Sequence, residues 1–173
     1  MSMPDLSPSG ASVYTRGLSR DASTAVGTYS ATGVVAPFRW TAATGIELLP
    51  TPDGLFEWSG DARAVSGDGE VIAGSYRDLG NVERAFVWRA GQGSSDLALL
   101  LQTLGVDTTA WQSLTSVWAV SSDGGTIVGS GRRSGSSFNE TFIAVIPEPS
   151  SSMLILMGLA FLSRTRRREG VSG

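Results

Sequence analysis

Histidine, cysteine and lysine are absent from all 173 residues, and that removes most catalytic machinery at once. Ser–His and Cys–His nucleophiles, imidazole and thiolate metal sites, Schiff-base lysines and the phosphate-binding lysine of nucleotide loops are all excluded. No glycine cluster has the spacing of a phosphate cradle. Carboxylates are what remains. Glu57 beside Trp58, with Asp53 and Asp61 close by, is the best local cluster, since paired carboxylates hydrolyse glycosidic bonds and an indole face stacks on a sugar. The competing reading is a surface loop in which Asp53-Gly54 makes a turn. Asp21, Asp68 and Asp123 recur at matching places, but calcium needs six to eight oxygens at close spacing, so turn chemistry is the simpler expectation. No enzyme activity, cofactor or metal is expected.

The other distinctive residues lie at the C-terminus. Up to Ile146 the chain has 9 Arg against 14 Asp plus Glu; after it, 4 Arg against 2 Glu. An acidic body is unsuited to nucleic acid, which needs clustered cations against phosphates. The tail is ordered in three parts. Pro147-Glu148-Pro149 is held extended by its prolines. Residues 150–163 are uncharged and apolar on all sides, and Arg164, Arg166, Arg167 and Arg168 form a basic knot. Fourteen helical residues reach about 21 Å, short of a hydrocarbon core of about 30 Å unless arginines snorkel and the bilayer thins. The knot places the C-terminus in the cytoplasm by the positive-inside rule. The alternative is a helix docked on the chain's own core.

This order of parts over Ile146–Gly170 resembles the PEP-CTERM sorting signal of exported bacterial proteins. The resemblance implies that Pro147, Glu148 and Pro149 are recognised by exosortase, a membrane-embedded, cysteine transpeptidase-like enzyme that cleaves nearby. It also implies a transient stay in the inner membrane, oriented by Arg164, Arg166, Arg167 and Arg168. The opening residues Met1–Arg20 contain no apolar leader core of the kind export requires, which predicts further sequence upstream of Met1.

The elements that carry this tail are repeats. Leu18–Tyr29, Ala64–Tyr76 and Ala119–Ser130 share one pattern, each followed by an aromatic step at Phe38, Phe86 and Phe142. Gly27, Gly74 and Gly129 are 47 and 55 residues apart, and the phenylalanines 48 and 56. Asp68-Gly69 and Asp123-Gly124 read as hairpin turns, and Val71–Tyr76 and Arg84–Arg89 as strands. Gly27, Gly74 and Gly129 mark bends or close backbone approaches. Gly45–Leu49 finishes the first unit, and Asp96 caps a short helix to Leu104 in the second. Trp40, Trp88, Trp111 and Trp118 are expected to pack.

A period near 50 with about four strands describes a propeller blade. The units resemble the HAF repeats of exported bacterial proteins, with Arg84-Ala85-Phe86 standing where that family has His-Ala-Phe. The expected architecture is therefore all-β: a propeller-like array of about three blade-like repeats, near 18–49, 62–104 and 114–146, with further blades expected because closed propellers use four to eight. The alternative is a small β-sandwich. Residues 1–10 are expected to be disordered, 11–146 to form the repeat domain, 147–170 the sorting segment with a hydrophobic helix over about 151–164, and 171–173 a tail. The expected function is an exported cell-surface or extracellular-matrix protein, delivered through its tail. A secreted carbohydrate-binding or carbohydrate-active module, engaging extracellular polysaccharide, is the alternative.

Overall fold

The computed structural model describes residues 10–52 and 59–146. Each repeat becomes one antiparallel meander. The first sheet contains β1 (Ser12–Leu18), β2 (Thr24–Ala31), β3 (Val34–Thr41) and β4 (Gly45–Leu48). The second contains β5 (Gly60–Val65), β6 (Val71–Arg77), β7 (Glu83–Arg89) and β8 (Gly93–Asp96), followed by helix α1 (Leu97–Thr103). The third contains β9 (Trp111–Val120), β10 (Thr126–Arg133) and β11 (Asn139–Val145). Three sheets rule out the two-layer sandwich. They also begin earlier than the expected repeats, most clearly in the first, where β1 starts at Ser12 rather than near Leu18. Irregular Ser12–Leu18 lacks the periodicity that marks the later strands. The short helix forms as expected: the Asp96 carboxylate accepts from the Leu99 N–H at 3.0 Å, satisfying one of the orphan donors of a helix start.

The recurring Gly and Phe are two halves of one device. Gly27 pairs across the ladder with Phe38, Gly74 with Phe86 and Gly129 with Phe142. On the other side of each glycine lies the carbonyl of Tyr14, Asp61 or Ser116, so near that a Cβ would collide with it. At Gly27 and Gly129 the missing side chain also leaves room for the ring of Phe38 or Phe142, and Phe38 and Phe86 are fully buried. A buried Phe stabilises by about 1.5–3 kcal/mol.

The turns repeat just as closely. Ser19, Ser66 and Ser121 each donate a hydroxyl to the aspartate two residues on, Asp21, Asp68 or Asp123. Each serine oxygen also accepts the N–H five residues on, from Thr24, Val71 or Thr126, at 2.8–2.9 Å. The aspartate in turn takes the N–H of Ser23, Glu70 or Gly125 at 3.0 Å. Gly69 and Gly124 hold φ of 77° and 75° in these turns, and Ala22 stands in the same place at φ 58°.

Successive sheets pack face to face. β5 lies against β1, β2 and β3, and β9 against β5, β6 and β7. One apolar cluster joins the first two sheets through Val26, Leu49, Ala62, Ile72, Tyr76 and Phe86. A larger one joins the second and third through Val87, Leu97, Leu101, Val117, Ile127 and Phe142, with α1 covering its end. The turns are linked as well: the Arg20 N–H donates to the Gly67 carbonyl at 3.1 Å, and the Gly67 N–H to the Ser122 carbonyl at 2.9 Å. A Cβ at Gly69 would strike Thr24 of the preceding sheet, and one at Gly124 would strike Val71. These contacts fix the spacing between sheets. Among the described residues the three sheets form no closed ring.

Candidate functional site

The first strand of every sheet, which lies at its edge, is interrupted at one equivalent place. Between Thr15 and Gly17, between Ala62 and Ala64, and between Val117 and Ala119 the register slips by one residue. The residue left unpaired at that place is Arg16, Arg63 or Trp118; β9 slips twice more, at Thr115 and Gln112. A bulge leaves its extra residue outside the ladder and re-aims its side chain. These three converge, and together with Asp61 they line one open cavity of about 390 Å³.

The chemistry of this mouth is cationic and aromatic. Asp61 is largely covered, and its carboxylate takes the Arg63 Nε at 2.9 Å and the Thr28 hydroxyl at 2.7 Å. The Arg16 Nε stands at 3.7 Å from the same carboxylate. Arg63 also donates Nη1 to the Ser116 hydroxyl at 3.0 Å, so its guanidinium is held by neighbours on two strands. Arg16 is bound at one edge alone and is more than half exposed. Two cations share one carboxylate here, leaving a local positive charge on a chain whose formal net charge is −3.

Trp118 corrects the expectation that it packs: it is 52% exposed. Trp40, Trp88 and Trp111 are covered as expected. Trp111 meets Phe142 edge-on and carries the Arg133 guanidinium 5.1 Å from its ring centre. Trp88 lies under Arg39 of the first sheet at 5.5 Å, an inter-sheet contact, and Trp40 is half-buried. Trp118 is exposed because the bulge turns it off the packed face.

The carboxylates first considered for chemistry separate. Asp53, Glu57 and Trp58 lie outside the described residues, and Asp61 belongs to the arginine mouth. Asp21, Asp68 and Asp123 are occupied by their turns. The Ser19 hydroxyl, then the Ser23 N–H and hydroxyl, hold the Asp21 carboxyl down at about 2. The Ser66 hydroxyl and Glu70 N–H lower Asp68, and the Ser121 hydroxyl and Gly125 N–H lower Asp123. Among the described residues no group of acidic side chains is arranged to hold a metal. A second cavity, of about 380 Å³, opens beside α1. Its carboxylate, Asp96, is committed to the helix cap and to the Tyr76 hydroxyl at 3.2 Å.

Sequence reasoning missed Arg16, Arg63 and Trp118, although the signal was present. They are 47 and 55 residues apart, the same intervals as Gly27, Gly74 and Gly129. The first two are arginine and the third is tryptophan, so no one letter recurs through all three units.

At the other end, β11 stops at Val145. Ile146 is buried and its N–H donates to the Gly125 carbonyl at 2.8 Å, so the strand-built body closes on the residue before Pro147. Residues 145–168 match the family described as "PEP-CTERM protein-sorting motif". The chain carries a PEP-CTERM sorting motif. Pro147, Glu148, Pro149 and Arg164, Arg166, Arg167 and Arg168 all fall within the match or at its edge, and lie outside the described residues, as does the expected helix over 151–164. Among the described residues no helix is long and apolar enough to cross a membrane. The motif marks an exported protein sorted through exosortase.

Among solved structures, the chain is similar to TolB from Acinetobacter baumannii, with a TM-score of 0.50 and 18% identity over 79% of this chain and 30% of that one. It also matches a putative TolB from Agrobacterium tumefaciens at 0.48 and 14%, over 78% and 46%. The chain thus spans less than half the length of either. The first similarity agrees with the sheet packing in showing a β-propeller-like arrangement. A search of curated proteins finds no match.

Proposed function

We propose that this is an exported cell-surface or extracellular-matrix protein whose propeller-like body is cargo and whose tail is its delivery device. The observation that carries this reading is the junction: the sorting motif begins at residue 145, where the last strand ends and the buried Ile146 closes the globule. Pro147-Glu148-Pro149 follows that junction directly in the chain and serves as the element exosortase recognises. The apolar run then holds the chain in the inner membrane, and the Arg knot keeps the C-terminus cytoplasmic. The body acts by binding, without catalysis, and its units are of the HAF type in keeping Phe38, Phe86 and Phe142 over their glycines.

Glu148→Ala, and separately the four-arginine knot changed to Glu, test the reading by immunoblot of membrane and released fractions. Full-length chain retained in the membrane in both variants is the expected result. Release of a trimmed body in amounts equal to the unaltered chain would overturn it. The carbohydrate-binding alternative has one specific observation in its favour, the exposed Trp118 beside two guanidiniums.

A further inference from the structure

From the convergence of the three bulged residues, we infer that the mouth formed by Arg16, Arg63 and Trp118 is a binding site for a carboxylate-bearing sugar, a uronic acid unit of an acidic saccharide. Three requirements of such a ligand are met by separate groups. The sugar ring needs a flat apolar surface, and Trp118 offers one. It is the exposed tryptophan among the described residues, and the guanidiniums stacked on indoles lie over Trp88 and Trp111 instead. The carboxylate needs a guanidinium with donors to spare. Arg16 meets Asp61 only through Nε at 3.7 Å, leaving its Nη groups to form the paired donors that match a carboxylate. The hydroxyls need fixed acceptors, and Asp61 is fixed by Thr28 and Arg63.

Size and charge narrow the ligand further. A cavity of about 390 Å³ is near the lower end of small-ligand sites, which run from about 300 to 1,000 Å³. That suits one or two sugar rings better than a protein surface. A neutral sugar would offer the spare Arg16 donors hydroxyl acceptors without the charge or paired geometry of a carboxylate, and an acidic peptide would not need the indole. Arg63 has a different part: tied to Asp61 and Ser116, it positions the carboxylate and supplies background positive charge. The site is assembled from three sheets, so it exists only in the assembled array.

The test is titration of the full chain, in mild detergent, with sodium digalacturonate, followed by calorimetry. Neutral digalactoside and sodium acetate are the comparison probes. Binding of digalacturonate is expected, with Arg16→Ala and Trp118→Ala each weakening it about tenfold or more, a change of about 1.4 kcal/mol. Arg132→Ala, at an exposed arginine on β10 away from the mouth, is expected to leave it unchanged. Both tested side chains are solvent-facing, and far-UV circular dichroism checks that the variants stay folded. Absence of digalacturonate binding overturns the inference, as does equal affinity for the neutral disaccharide. So does binding lost equally in Arg132→Ala, which would mean diffuse attraction, or an acetate affinity matching digalacturonate with Trp118→Ala silent, which would mean a bare anion site. None of these outcomes bears on processing of the tail, which the released-fraction immunoblot reads separately.

Discussion

Substituting Gly74 by alanine isolates the steric core of the repeat. Gly74 does not occupy the left-handed region, so the change adds a methyl group without altering the backbone preference adversely. That methyl would collide with the carbonyl of Asp61 and crowd the Cα of Ala62. Both are backbone atoms of β5, so no rotamer change relieves the contact; the β5–β6 pair must part. Overpacking of this kind costs about 1–3 kcal/mol. Parting the strands also weakens ladder bonds worth about 1 kcal/mol each, at a strand whose Ala62 and Ala64 are buried between two sheets. The expected loss is therefore about 3 kcal/mol, which for a domain of this size lowers Tm by about 6–12 °C. Urea and thermal unfolding, followed by circular dichroism and tryptophan fluorescence, measure it. Gly91→Ala is the comparison: its Cβ would meet open space, but φ is 74°, so it carries only the left-handed strain of about 1–2 kcal/mol. If Gly74→Ala unfolds with the unaltered chain, or loses less than Gly91→Ala, the account of the glycine–phenylalanine device is wrong.

Ser66→Ala removes a buried hydroxyl that both donates to Asp68 and accepts from the Val71 N–H. A loss of about 1–2 kcal/mol by urea unfolding is expected, and a smaller one for Ser121→Ala, whose aspartate bond is exposed. Ala22→Gly relieves a left-handed alanine where Gly69 and Gly124 stand in the other sheets, and a gain of up to about 1 kcal/mol is expected; a loss would argue against strain at Ala22. Asp21, Asp68, Asp107 and Asp123 all have carboxyls lowered by hydrogen bonds from hydroxyls and N–H groups. A folded value below the unfolded one contributes stability that is present above the unfolded value near 4 and disappears as pH falls toward the folded value, about 2 for Asp21. Tm is therefore expected to hold from pH 7 to near 4 and to drop below it, with a shallower drop in Asp21→Asn/Asp68→Asn/Asp123→Asn; parallel profiles would remove the turns from the explanation.

What could be read from the sequence, and what could not, follows from how each feature is encoded. The repeat was legible because Gly and Phe are cross-strand partners: the same collision with a carbonyl selects glycine three times and admits the ring that lies over it. The turn aspartates were legible because Ser-x-Asp solves one hydrogen-bonding problem three times. Asp96 could be identified as a cap because an aspartate before Leu97–Leu101 has an N–H to accept. β1 was hidden because its residues are mostly exposed and carry no two-residue alternation. The arginine–tryptophan mouth was hidden for a deeper reason. Its residues share a backbone position but not one chemical type throughout, two being arginine and one tryptophan, and the bulge that makes them equivalent is a property of pairing between strands. Trp118 in particular looks like core material until the slip in register turns it outward.

That slip separates two kinds of selection. A side chain inside a ladder answers to its neighbours on both faces, whereas the surplus residue at a bulge has no partner across the ladder, and of the three only Arg63 is tied closely to its neighbours, Asp61 and Ser116. The half-exposed Arg16 and Trp118 could therefore be replaced while the sheets beneath remain unaltered. This rim is an interchangeable keyboard on a fixed frame, and new ligand preferences could be written there by two substitutions without disturbing a single glycine, phenylalanine or serine that holds the frame together.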